Sequence, residues 1–406
     1  MRKTQAALTL ALAAALTGLV AAAPAAKTIT VVGQDDSSVD RAAIQAALDA
    51  VAKNGTVELV GVFQLDGLEL HVRNSHTTVR GRALDDDGDG KINEDWTDGI
   101  DNDLDGAVDE DDWNAVLKGI LAGDGTPEEG AAAPFFNRGF EALGLQQVHI
   151  TDIKFTGLVR GVAYGGTVEI ADTFLCSSTF PIPEMRNSSA DRNLFDNQNR
   201  AVQIFGGSHQ VAFRDNVVIN HRAGIPIVLV GDEVGCRNAD GSQGSFATGR
   251  PHNTIIEGNQ ISDVNERFAA IGVFVAEWTF IRNNEIRDSR SGIGVQGMSN
   301  SLIQGNQIAD VANDGVQVFE GLDGITGLLS DSSGLKIQNN TVSNAGRWSY
   351  ALFDDVHDVK LSNNGSLNPG FGDDYFLLNS THDNHVILKP GQIANDQGTN
   401  NKINGG

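Results

Sequence analysis

Residues 300–321, NSLIQGNQIADVANDGVQVFEG, hold two short apolar alternations on either side of Asn306 and a third, GVQVFE, from Gly315. Alternation with a period of two marks a strand that turns every second side chain toward a core, and Asn, Gly and Asp between the runs supply the turns. The same grammar returns along the chain. RDNVVIN, EGNQISD, RNNEIRD, QGNQIAD, QNNTVSN and SNNGSLN align on Asn216, Asn259, Asn284, Asn306, Asn340 and Asn364, separated by 43, 25, 22, 34 and 24 residues. The short intervals are one coil; the long ones are a coil plus an inserted loop. Three short strands per repeat predict a solenoid in which each strand pairs with its equivalent in the next coil. The aligned asparagines then stack about 4.8 Å apart, amide on amide, which makes them structural groups and not ligands.

Residues 40–81 read as a helix followed by strands. Ile44, Leu48 and Val51 form one apolar stripe, Ser37 and Asp40 offer a capping box, and GTVEL opens a strand ladder. A helix here would cover the open end of the coil and shield its edge strands. Together with the Asn repeats, this segment resembles the start of the right-handed parallel β-helix proteins, the pectate-lyase-like family. The expected fold class is therefore all-β: a right-handed parallel β-helix solenoid with an N-terminal capping helix and an inserted acidic segment. Its expected parts are a signal peptide at 1–25, cap and first coils at 27–83, the insertion at 84–135, the main β-helix at 136–395 and a flexible tail at 396–406.

Arg2 and Lys3, an Ala/Leu-rich run and Ala23-Pro24-Ala25 predict export and cleavage, placing the protein outside the cytoplasm, secreted or in the cell envelope. No later run is long enough to span a bilayer, so the mature chain should be soluble, and it is expected to be a monomer. The formal charge of −24 repels phosphate backbones and argues against a nucleic-acid partner. Cys176 and Cys236 are the two cysteines, an even number that allows one disulfide in an exported chain or two free thiols.

Much of the negative charge is local. Residues 85–112 carry fourteen Asp or Glu against one Lys. Asp101, Asp103, Asp105, Asp109 and Asp112 occupy positions 1, 3, 5, 9 and 12 of a loop with Gly106 at position 6, and Ala107 could give its carbonyl at 7. Upstream, Asp85, Asp87, Asp89, Lys91 through its carbonyl, and Asn93 repeat positions 1, 3, 5, 7 and 9, with Asp95 available where Trp96 occupies position 12. Calcium needs six to eight oxygens and a glycine at the sharp turn, so this spacing predicts a calcium pair with a structural role. The loops resemble thrombospondin type 3 repeats and dockerins.

Aligning the third strand of each coil from Gly224, Gly272, Gly292, Gly315 and Ser349 gives two rows. Two residues before the start stand Arg222, Ala270, Arg290, Asn313 and Arg347; five after it stand Leu229, Glu277, Gly297, Glu320 and Asp354. In the resembled family this face forms the carbohydrate groove. Glu320 and Asp354 on adjacent coils would then be an acid/base pair, with Arg290 and Arg347 beside them neutralising uronates. Arg222, Glu277, Phe319 and Trp348 would contribute substrate contacts. His221 and His357 read as surface loop residues.

The chain departs from the enzymes of that family: it lacks the Asp-Asp pair with a following Gly-His-Gly and any recognisable lyase signature. Two readings follow, a calcium-binding β-helix that binds or cleaves an acidic polysaccharide as lyase or hydrolase, and a noncatalytic surface or matrix adhesion protein.

Overall fold

The computed structural model describes residues 28–82, 113–122, 127, 138–165, 185–221, 224–231, 236–237, 243–244, 250–264, 268–322 and 329–406. The described strands form a 22-stranded sheet and an 11-stranded sheet, with two small two-stranded antiparallel sheets. Every strand pairing within the two large sheets is parallel, as in Leu302–Gln304 beside Lys336–Gln338. The larger sheet consists of two stacks joined through the long strand Thr56–Gln64, which pairs with Thr78–Gly81 at one end and Ala115–Lys118 at the other. Three stacks wound in sequence order make a parallel β-helix.

One coil shows why. Leu302–Gln304 and Gln307–Ala309 flank the Gly305-Asn306 turn, and Val316–Phe319 completes the coil after a short loop. Alternate side chains point inward, so Ile256, Ile281, Ile303, Ile337, Leu361 and Val386 stack as one buried column. Phe155 and Phe195 stack within another, 4.9 Å apart. Every residue added to such a column buries apolar area on both neighbours.

The asparagine ladder forms as the repeat implies. Asn216 Nδ2 and backbone N donate to Asn259 Oδ1, and the pattern continues through Asn284, Asn306, Asn340 and Asn364. Asn193 extends it upstream by donating to Asn216 Oδ1. All seven are fully or almost fully buried, where an unpaired amide would be costly, so each position demands the next.

Several expectations need correction. Helix α1 (Asp40–Ala50) packs Ile44, Ala47 and Leu48 inward, yet its N-cap residue is Val39 and no side chain caps it. The capping box of Ser37 and Asp40 does not form. The buried Asp40 carboxylate instead accepts hydrogen bonds from the backbone N–H groups of Gln34, Asp36 and Gln64, tying the helix to a strand. Ala115–Lys118, inside the span assigned to the insertion, pairs with Lys154–Thr156 and belongs to the solenoid. The expected flexible tail holds a strand, Lys402–Gly405, paired with His385–Leu388. His221 is fully buried, not a surface residue. Among the described residues no helix is long and apolar enough to cross a membrane.

Candidate functional site

The outer face of the 11-stranded sheet is framed by two edges. Register along this sheet runs Val202, Ile227, Ile271, Ile293, Val316, Tyr350, Tyr375. Gly292, Gly315 and Ser349 therefore align as the sequence predicts, whereas Gly224 and Gly272 are each displaced by two residues. Glu277 leaves the carboxylate row; it pairs with Ser299, and Val275 takes the row position beside Gly297. Leu229 likewise pairs with Val273 instead of joining that row. A slip of two preserves which side chains face inward, so alternation alone cannot detect it.

On the exit edge, Glu320 and Asp354 hold equivalent positions on adjacent coils, two residues beyond the paired Val318 and Leu352. Burial pushes the Glu320 carboxyl up from its ordinary pKa, and the charges of Asp355, Asp331 and Asp354 push the same way; a hydrogen bond from the Asp355 backbone opposes them. Asp355 is thus a closer electrostatic partner than Asp354, which sits exposed at φ 54°.

On the entry edge, backbone hydrogen bonds link Arg290, Asn313 and Arg347 in successive coils. Arg290 is exposed and lines a groove of about 780 Å³ with Asp263, Asp288, Asp310 and Asn344. Arg347 is engaged differently: its guanidinium pairs with the fully buried Asp314 carboxylate and lies 5.3 Å from the Trp348 ring centroid. Burial raises the Asp314 pKa, and Arg347 partly opposes that rise. Arg347 thereby positions Trp348 and does not stand free for an anion.

Between the edges lies a strip of aromatic rings that the sequence reading largely missed. Trp348 stacks on Phe376 at 4.0 Å and 9°, and meets Phe371 edge-on at 5.1 Å. Phe319 stacks on Phe353 at 4.7 Å, and Phe268 lies 6.1 Å from Phe319. Phe371 is 59% exposed; Trp348, Phe353, Phe319 and Phe268 are half-buried. Trp348 Nε1 has no hydrogen-bond partner. Rings held this way present π faces and edges to anything laid along the sheet. The signal was present in WSYALF and VQVFE, but only register brings those rings together.

A second polar group lies toward the N-terminal end of the same sheet. Arg138 and Arg160 pair in register, and Arg200 follows on the next coil. Glu69, His71 and Glu141 bring potential ligand atoms within 4.8 Å of one another. Arg138 nevertheless lies 3.1 Å from Glu69 and Arg160 lies 3.6 Å from Glu141, while His71 turns a different ring nitrogen to each acid. This is an ion-pair network whose carboxylates are already neutralised.

Arg222, the signal segment, Cys176 and all the calcium-loop positions, Asp85, Asp87, Asp89, Lys91, Asn93, Asp95, Asp101, Asp103, Asp105, Ala107, Asp109 and Asp112, lie outside the described residues. So does the side chain of Cys236.

The model of the family described as "Right handed beta helix region" matches residues 235–393. No curated protein matches the chain by sequence. Among solved structures, the tailspike protein of E. coli bacteriophage HK620, in complex with a pentasaccharide, superposes with a TM-score of 0.57 at 14% identity, covering 92% of this chain and 64% of the tailspike. Alginate lyase from Paenibacillus sp. str. FPU-7 gives 0.54 at 13% identity, over 87% of this chain and 99% of the lyase. Polygalacturonase from Erwinia carotovora ssp. carotovora gives 0.51 at 12%, over 95% and 96%. Identities this low speak to architecture. Repeat, register and neighbours agree that the chain is a right-handed parallel β-helix protein.

Proposed function

We propose that this is an extracytoplasmic, monomeric β-helix protein that binds a polysaccharide lengthwise along its 11-stranded sheet. The aromatic strip from Phe268 through Phe319 and Phe353 to Trp348, Phe376 and Phe371 carries this reading. A pyranose offers an apolar C–H face to an aromatic ring, and coils about 4.8 Å apart repeat on nearly the length of one sugar residue. Architectural neighbours with carbohydrate in their names, such as the alginate lyase and the tailspike bound to a pentasaccharide, support the same choice of ligand.

An acidic polymer is the favoured substrate class. Arg290 stands at the entry edge as a cation for uronate carboxylates, and Glu320 with Asp354 stands at the exit edge where a proton could be moved. Calcium on the paired acidic loops at 85–112 is part of the proposal and rests on their ligand spacing alone. The deciding experiment incubates the protein with alginate, polygalacturonate and neutral glucans. Retention of a uronate polymer on immobilised protein supports binding, and a rise in the ultraviolet absorbance of unsaturated uronate shows β-elimination. Reducing ends without that absorbance indicate hydrolysis. Failure to retain any polymer would leave the adhesion reading in its place.

A further inference from the structure

On the outer face of the larger sheet, the C-terminal coils stack basic residues one above another. Lys336 pairs in register with Lys360, Lys360 with His385 and His385 with Lys402, each at the first position of its strand. The three lysines are exposed, and with coils about 4.8 Å apart the row spans about 14 Å of the solenoid. None of them forms an ion pair among the described residues. The acids nearest to them in sequence are engaged elsewhere: Asp331 and Asp358 face His357, Asp383 faces His382, and Asp396 accepts a hydrogen bond from Asn401.

This arrangement differs from the rest of the same face. Upstream, cations meet acids in register across adjacent coils, Arg80 at 3.0 Å from Glu58 and Arg282 at 2.8 Å from Glu257. Like charges set directly opposite one another are unfavourable in a sheet, and a chain of net charge −24 has acids to spare for pairing them. Protection of an open edge accounts only for Lys402, on the last strand of its stack; Lys336 and Lys360 lie on strands paired on both sides. Toward the N-terminus the row turns apolar. Leu302 and Phe280 precede Lys336 in register, both half-buried, and Trp278 is 50% exposed just before Phe280.

We propose that Lys336, Lys360 and Lys402 form a second binding surface for a linear uronate polymer laid along the solenoid. Such a polymer has one carboxylate per sugar, so successive charges fall against successive coils, and its C–H faces suit the apolar end of the row. The choice of a uronate rests on the function proposed above; the unpaired row does not. One exposed lysine–carboxylate pair is weak and screened by salt, but several on one polymer act together. Salt dependence therefore separates this surface from the aromatic strip on the 11-stranded sheet.

The test measures retention of polygalacturonate on the immobilised full chain at about 0.05 M and about 0.5 M salt, the second largely screening exposed charges. Replacing Lys336, Lys360 and Lys402 together by Gln should weaken low-salt retention at least about tenfold, and each single replacement about two- to fivefold. High-salt retention, which reads the aromatic strip, should stay within about twofold. Lys53→Gln, an equal charge change at the other end of the solenoid, should alter neither. Trp348→Ala should do the converse of the triple variant, lowering high-salt retention and leaving the response to salt. Low-salt retention undiminished in the triple variant overturns the proposal, whatever becomes of the strip. Retention seen at low salt only and lost in the triple variant upholds the lysine row while the strip fails. Loss of binding to phosphatidylglycerol vesicles in the triple variant, with polymer retention intact, assigns the row to a lipid surface and overturns the proposal.

Discussion

Phe319 and Phe353 stack ring on ring, 4.7 Å apart and 11° from parallel, and the residue after each is an acid: Glu320 on one coil, Asp354 on the next. Stacking surface and acid pair are thus the same two strand ends, so binding and proton transfer can be separated by substitution. Trp348→Ala and Phe353→Ala should each weaken retention of a uronate polymer about tenfold or more, as loss of an aromatic anchor does. Affinity electrophoresis with polymer in the gel reads this directly. Unchanged mobility shifts for both variants would disqualify the strip.

Glu320→Gln and Asp354→Asn should leave polymer retention within about twofold of the parent, because neither removes stacking surface. If the protein cleaves its ligand, Glu320→Gln should lower the rate about 10²-fold to 10⁴-fold. Product release measured beside retention in the same preparation distinguishes the two effects.

Asn306→Ala removes an acceptor for the backbone and side-chain N–H groups of Asn284 and a donor to Ile281 O and Asn340 Oδ1. Leaving such buried groups unsatisfied should cost about 2–4 kcal/mol. The urea midpoint should fall accordingly, whereas Lys336→Ala, an exposed position on the outer face of a neighbouring strand, should change the stability by less than about 1 kcal/mol.

His221 gives an acid dependence with a definite sign. Burial pushes its pKa down to about 3, and the nearby Ile219 and Asn199 backbone only partly offsets this; neither ring nitrogen makes a hydrogen bond of ordinary geometry. Unfolded, the ring titrates near 6.5 and takes up a proton that the folded protein refuses. Stability should therefore be unaffected by this residue above pH about 6.5 and decline as pH falls from there toward about 3, by a total on the order of 5 kcal/mol at most. Thermal unfolding of His221→Leu across that range should show a flatter acid limb than the parent.

Chelation tests the acidic loops. If calcium neutralises the carboxylates at 85–112, its removal should open that segment to protease while the coils stay protected, since their strand ladders need no ion. Replacing Asp101 and Asp103 by Ala should reproduce the cleavage pattern without chelator. Calorimetry that finds no calcium uptake at about millimolar concentration would refute the loop assignment.

Much of the fold was legible because the physics of a solenoid is local and repeated. Asn259, Asn284 and Asn306 return at intervals set by one coil, and each repeat had to carry the same inward alternation. Asn193 heads the same ladder from DRNLFDN, whose Asn followed by a short apolar run has the form of the later repeats. Helix α1 was legible from its apolar stripe, but its N-terminus was not. The Asp40 carboxylate is claimed by Gln64 N, 24 residues away, and a long-range contact of that kind overrides a capping signal.

The site divides along the same line. Sequence alone determined that Glu320 and Asp354 share a row and that Arg290 and Arg347 share another, because the third strands that begin after Gly292, Gly315 and Ser349 start at equivalent positions, whatever loop lies between them. Tertiary structure decided that Glu277 is not in that row, that Arg347 is engaged by Asp314, and that Trp348, Phe353, Phe371 and Phe376 form one surface. The reason is the period of the strand. Alternation specifies which face a side chain takes but is blind to a slip of two, so register, and with it every contact between coils, depends on how loops of unequal length close around the core.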